Sequence, residues 1–223
     1  MTTSDLLTGP APLELTGANE LSSALVAMVS EFCGRLEDEG GVAVLRLGGG
    51  TTAAAWPGEV SIRLVNRWER TLRRLERLST MTVATAIGPC SGPALELLLT
   101  TDFRLATPDA SVVLPPGGLW PGMALHRLAT QIGVAATRRL LPGGTELTAA
   151  RAVELGLFDE ITTDPHAALA TKLAELVEVE GTEFAIRRRL LLDAPTTTFD
   201  DALGVHLAAC DRALRQHHRE AAK

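Results

Sequence analysis

Three side chains within residues 82–106, TVATAIGPCSGPALELLLTTDFRLA, could carry chemistry: the Glu96 carboxylate, the Cys90 thiol and the Ser91 hydroxyl. A carboxylate beside a helix start can hold or move a proton, and the amides of such a start can face an oxygen that gains negative charge. A thiol in the same turn could act as a nucleophile if its ionised form were favoured there. No His or Asn partner for Cys90 is recognisable along the chain, and Ser91 lacks the GxSxG setting of an activated serine. A small buried cysteine is the plainer reading of Cys90. Glu96 therefore leads, although a glutamate near a helix start is common in any protein. Further along, His126 offers an imidazole that could exchange a proton, but a lone histidine on a helix more often packs.

These residues need a frame. The apolar run 82–87 predicts a strand, 88–92 a Gly/Pro-rich turn, and Pro93 the opening of a helix that carries Glu96 in its first turn; a second short strand follows over 103–106. Upstream, Leu21, Leu25, Met28, Val29, Phe32 and Leu36 recur at three- and four-residue steps, a helical stripe that ends before Gly40 and Gly41. Residues 42–47 form a short β-type run stopped by glycines. The loop 48–58, GGGTTAAAWPG, contains neither GxGxxG nor GxxxxGK[ST], so its glycines predict a turn rather than a phosphate cradle. Over 61–79, Ile62, Val65, Trp68, Leu72, Leu75 and Leu78 make an apolar stripe. Arg63, Arg67, Arg70, Arg73, Arg74 and Arg77, with Glu69 and Glu76 among them, fill the other face. That face predicts a solvated helix surface, the alternative being a strip for an anionic group such as a diphosphate.

Downstream, 109–114 reads as a strand, and prolines and glycines keep 115–122 out of regular structure. Helices are predicted over 123–132, 135–141, 148–155 and 165–179, a last strand over 158–161, and two tail helices over 183–192 and 199 to about 220. Strands and helices alternating from 19 to about 161 predict an α/β core with largely parallel strands, preceded by a loose lead-in over 1–12 and followed by a helical tail suited to docking.

A net charge of −6 and a pI near 5.4 argue against non-specific nucleic-acid binding and against a basic membrane-binding surface. No apolar run approaches the roughly 20 residues of a membrane span, and the N-terminus has no charged leader pattern, so a cytoplasmic protein is expected. Cys33, Cys90 and Cys210 are odd in number, widely spaced and without metal-ligand spacing, which predicts reduced thiols and no structural metal.

Four blocks, VAVLRLGGG, AIGPCSGPALELLLTTDFRLATPDASVVLP, PGMALHRLATQIGVAATRRLL and LTAARAVELGLFDEI, together resemble the crotonase (enoyl-CoA hydratase/isomerase) superfamily over roughly residues 13–165. The resemblance implies an α/β fold, a crotonase-like ββα spiral over 13–165, with a C-terminal helical region over 166–223 used for assembly as a trimer or hexamer. It implies a coenzyme A thioester as ligand, with coenzyme A as part of the substrate and no separate cofactor. Family members hold a thioester enolate with two backbone N–H donors and move protons with carboxylates. On this pattern Glu96 falls on the first catalytic glutamate, whereas the second falls on Pro116 or Gly117, neither of which can transfer a proton. The oxyanion region comprises Trp56 or Pro57 in one loop and Gly92, Pro93, Ala94 and Leu95 in the other. Pro93 stands where a donor belongs and has no N–H, which leaves the amides of Ala94 or Leu95 to serve in a shifted geometry. Cys90, Trp120 and His126 are the substrate-binding candidates.

Within the superfamily, the WPG, VNRWER and RRLERL segments and the GPALELLL variant are similar to short auxiliary members of 3,5-dihydroxyphenylglycine biosynthesis. These work beside a type III polyketide synthase that forms 3,5-dihydroxyphenylacetyl-CoA. Two activities are implied: a hydratase or dehydratase on a polyketide-derived thioester, or a catalytically degenerate accessory protein that stimulates the synthase by binding.

Overall fold

In the computed structural model, the residues described are 10–17, 20–48, 60–114, 122–142, 146–176 and 181–221. Five strands, β1 (Leu13–Thr16), β2 (Ala43–Gly48), β3 (Thr82–Ile87), β5 (Phe103–Ala106) and β8 (Glu160–Ile161), form a sheet in the order β1-β2-β3-β5-β8. Every pairing in it is parallel. A second sheet sets β4 (Pro89–Cys90) parallel to β6 (Ser111–Val113), and β6 antiparallel to β7 (Glu146–Thr148). Parallel strands need long crossovers, and here these contain α1 (Ser23–Glu39), α2 (Ile62–Glu76) and α3 (Gly92–Leu98). The remaining helices are α4 (Gly122–Ile132), α5 (Val134–Arg138), α6 (Ala149–Glu154), α7 (Pro165–Leu176), α8 (Gly181–Asp193) and α9 (Phe199–Ala221), with a 3-10 turn over Ala194–Thr196.

Local signals set the helix ends. Ser22 caps α1 by accepting from the Leu25 amide at 3.1 Å, and buried Leu21 and Val26 bracket that cap in the manner of a hydrophobic staple. Ser61 caps α2 by accepting from the Leu64 amide at 3.3 Å. The apolar stripe of α2 is buried from Trp68 onward, with Trp68, Leu72 and Leu75 fully inside, but Ile62 at its start is exposed, and the helix ends at Glu76 rather than Ser79. Leu13–Thr16 alternates buried and exposed residues and pairs with β2, where Glu14 and Arg46 meet across the strands at 3.2 Å. Residues 1–9 lie outside the described set.

The TDFRLA segment proves to be a fastening. Asp102 Oδ2 accepts from the Thr82 amide at 2.9 Å and from its hydroxyl at 2.7 Å, and the Asp102 amide donates back to Thr82 Oγ1, which ties β3 to β5 at one end. Arg104 is buried, its backbone N–H donating to Asp159 Oδ2 at 2.7 Å. Its guanidinium donates to the carbonyls of Leu99, Thr101 and Leu157 and to Gln131 Oε1. Desolvation pulls its pKa down to about 10, a fall opposed by Asp159, Asp102 and Glu76, so it keeps its charge at any ordinary pH. The guanidinium thereby satisfies carbonyls that follow the end of α3, and Gln131 of α4 joins it there by donating to the Leu99 carbonyl.

The chain divides into two compact units, residues 1–178 and 179–223. The division falls later than the residue-165 boundary read from sequence because α7 packs against β3 and β5, burying Leu169 and Leu173. In the second unit α8 packs against α9.

Gly48 marks where β2 leaves the sheet. A Cβ there would lie 1.8 Å from the carbonyl oxygen of Ile87, its neighbour on β3, so any side chain must push the two strands apart. Gly48→Ala is expected to lose about 2–4 kcal/mol of stability, read as a lower urea midpoint; an unchanged midpoint would show that the strands part freely at this point.

Candidate active site

Three elements converge on Glu96. β3 ends at Ile87, the turn passes through β4, and Gly92 takes φ +53, a left-handed conformation that glycine adopts without steric cost, before Pro93 enters α3. Proline also disfavours helical backbone in the residue before it, so the Gly-Pro pair enforces this sharp entry. Glu96 is the fifth residue of α3, past the first turn where the sequence reading placed it. Its setting is therefore defined by burial and by its partners rather than by the helix end.

Glu96 is 2% exposed, and its Oε2 accepts a hydrogen bond from the indole Nε1 of fully buried Trp68 at 2.5 Å. An indole N–H is a donor only, so the carboxylate oxygen must be the acceptor. Trp68 was legible as a core residue of the α2 stripe; its role at the carboxylate was not. The available signal was general: a buried tryptophan needs an acceptor for its N–H, and few acidic residues lie in apolar stretches of this chain.

Around this pair α2 is clamped on both sides. Arg74 engages both carboxylate oxygens of Glu37 on α1 and donates to the Ser30 carbonyl at 3.1 Å. That bond holds the Glu37 carboxyl below its usual range and raises the Arg74 pKa. Buried Arg127 of α4 reaches Glu69 at 3.3 Å and buried Glu76 at 3.6 Å, and Arg73 meets Glu76 at 2.5 Å. From the arginine-rich face Arg74 ties α2 to α1, and Arg127 of α4 holds the helix through its glutamates. Arg67 and Arg70 instead line an open groove of about 430 Å³ between α1 and α2, with Glu31 opposite them; none of the candidate site residues lines it.

The oxyanion segment is also in view. Gly92, Pro93, Ala94 and Leu95 are all buried. In regular helical bonding the amide of Leu95 reaches back to the Ser91 carbonyl, whereas that of Ala94 has no acceptor within the helix. Trp56, Pro57 and Trp120 lie outside the described residues, as do Pro116 and Gly117.

Two candidates for substrate contact differ in their exposure. His126 is exposed on α4, its carbonyl accepting from the Thr130 hydroxyl at 2.9 Å. Cys90 is fully buried, its thiol facing the Leu47 carbonyl at 3.8 Å, and burial pushes its pKa up to about 12. A thiol so held is a packing group and not a nucleophile. Among the described residues no grouping of His, Cys, Asp and Glu could hold a metal ion, and no helix is long and apolar enough to cross a membrane.

No protein-family model matches the chain. A relative from Amycolatopsis orientalis, described as an enoyl-CoA-hydratase, is 44% identical over 214 residues, spanning 94% of this chain and 98% of the relative. Among solved structures, an enoyl-CoA hydratase from Shewanella pealeana superposes with a TM-score of 0.78 at 18% identity, covering 96% of this chain and 92% of its own. An enoyl-CoA hydratase/isomerase from Marinobacter aquaeolei gives 0.75 at 21% identity, covering 89% and 83% respectively. At such identities the structures establish a shared fold, the crotonase-like α/β architecture with its C-terminal helices.

The thiols report on the packing beneath the turn. Cys33 is buried as well, with its pKa raised to about 11 by burial, whereas Cys210 is partly exposed. Both raised thiols keep protons in the folded state that the unfolded chain releases from about pH 9, so their contribution to stability is present below that pH and is lost as pH rises toward 11 and 12. A thiol reagent at pH 8 should label Cys210 alone in the native protein and all three thiols in denaturant. The unfolding midpoint should fall between pH 9 and 11. Fast native labelling of Cys90 would contradict the packed turn.

Proposed function

Because the chain belongs to the enoyl-CoA hydratase (crotonase) family, we propose that it acts on a coenzyme A thioester with Glu96 as its single proton-carrying carboxylate. The observation that carries this reading is the buried Glu96 carboxylate held by Trp68 at the family's strand-turn-helix position. The substrate class proposed is a polyketide-derived β-hydroxy or β-keto thioester supplied by a type III polyketide synthase on the way to 3,5-dihydroxyphenylacetyl-CoA, the precursor of dihydroxyphenylglycine. The 44% identity to a relative described as an enoyl-CoA-hydratase supports the thioester, and the resemblance of the WPG, VNRWER and GPALELLL segments supports the synthase.

For a β-hydroxy thioester the steps balance with one carboxylate. Ionised Glu96 takes the proton from the α-carbon, and the electron pair of that C–H bond moves into an enolate whose charge rests on the thioester oxygen. The Ala94 amide faces that oxygen in place of the donor that Pro93 lacks; one such donor is worth about 3 kcal/mol in the transition state. The enolate then forms the carbon–carbon double bond and expels the β-hydroxyl, which leaves as water with the proton held by Glu96. The same proton removal enolises a β-keto thioester and starts its aromatisation.

A second reading, an accessory protein that stimulates the synthase by binding alone, is favoured by Pro93 at a donor position and by Pro116 and Gly117 at the second glutamate. Assembly through the C-terminal helices is part of the proposal in either case. It is supported by the apolar side chains that α9 leaves exposed on the single chain, Phe199, Leu207 and Leu214 among them.

Glu96→Gln separates the readings, since its amide oxygen can still accept from Trp68 while the side chain no longer accepts a proton. With the synthase and malonyl-CoA reconstituted, the variant is expected to drop product formation by at least about 100-fold, to the level without the protein. Stimulation equal to wild type would establish the accessory reading instead.

A further inference from the structure

The geometry points to a positioning role for Trp68: we propose that its indole N–H fixes the Glu96 carboxylate in the orientation from which it takes a proton. This deepens the proposed function and rests on it.

A phenylalanine would fill most of the same core volume at position 68 without any polar atom to satisfy. The tryptophan there buries an N–H completely, and burying such a group is costly unless it meets an acceptor. The acceptor it meets is the one carboxylate on α3. Because the indole ring has only two rotatable bonds and no accepting atom, it can hold Oε2 in one way only, as a donor. Fixing Oε2 also fixes where Oε1 lies, so the carboxylate plane cannot turn about its last bond.

The support behind the ring is as specific as the ring. Trp68 lies on α2 between Arg67, which faces the α1 groove, and Glu69, which Arg127 binds from α4. About two turns further on, Arg74 and Glu76 tie the same helix to α1 and α4. The other partner is held from behind, because Arg104 and Gln131 engage the carbonyls that follow α3. Donor and acceptor therefore come from separately braced helices, and the hydrogen bond between them transmits that rigidity to the reacting group.

The test replaces Trp68 with Phe and, separately, with β-(3-benzothienyl)alanine, an isostere in which sulfur replaces the N–H, so that a folded variant is available even if Phe leaves a cavity. Folding is checked by near-ultraviolet circular dichroism. Synthase-coupled product formation is then titrated with each variant and with Glu96→Gln. The expected result is a maximal rate reduced about 10-fold in both Trp68 variants, with the half-saturating protein concentration unchanged, because binding is untouched and only the chemical step suffers. In the wild type, the Trp68 indole N–H should resonate downfield of the other indoles and move upfield in Glu96→Gln. A fully active benzothienyl variant beside an inactive Glu96→Gln overturns the positioning role and leaves the proposed function standing. A fully active Glu96→Gln, or a wild-type protein that gives no stimulation, overturns both.

Discussion

A tryptophan N–H buried at the centre of a core must find an acceptor, and in this chain it finds Glu96. That one bond joins two requirements that otherwise oppose each other. The apolar stripe of α2 drives Trp68 inward with Leu72 and Leu75, whereas a carboxylate belongs in water unless its oxygens are bonded. Donor and acid relieve each other's cost of burial. The bond gives the carboxylate a donor inside a short, otherwise apolar helix.

Charge is used sparingly elsewhere, and in the same manner. Buried Arg104 serves backbone carbonyls, and Arg127 serves Glu69 and Glu76, so the interior cations act as fasteners between elements. The arginines of α2 that sequence alone could assign to solvent or to an anionic ligand divide between these tasks. Arg74 locks α2 to α1 and Arg73 pairs with Glu76 on its own helix, while Arg67 and Arg70 line an open groove. A stripe of like residues on one helix is thus not one functional surface.

The parallel core was legible because its signals are local and periodic. The run Thr82–Ile87, the stripe from Leu25 to Leu36 and the stripe from Trp68 to Leu75 each state their element and their buried face. β4 and β7 were not legible, since strands of two and three residues have no period to detect, and they exist only because β6 offers them an edge. Leu13–Thr16 did alternate, but four residues beside a proline-rich lead-in gave that alternation little weight. At the site, Glu96 could be singled out by its motif, and Pro93 by its missing N–H. The partnership with Trp68 could not be read, because it spans 28 positions and depends on how two helices meet. The burial of Cys90 was the plainer reading of that residue, and packing beneath Leu47 supplies the reason.

Arg104 carries a further implication, for the order in which the chain assembles. The two terminal nitrogens of its guanidinium donate to carbonyls at 99, 101 and 157 and to Gln131, and its backbone N–H to Asp159. Until residues near 159 have left the ribosome, β5 would have to bury a cation with only part of its shell. The early strands can pair as they emerge, but the interior closes around Arg104 late, when β8 takes its place at the sheet edge. Synthesis at about 5–20 residues per second makes that a wait of several seconds, during which the segment carrying Glu96 is tethered at its start and open at its end.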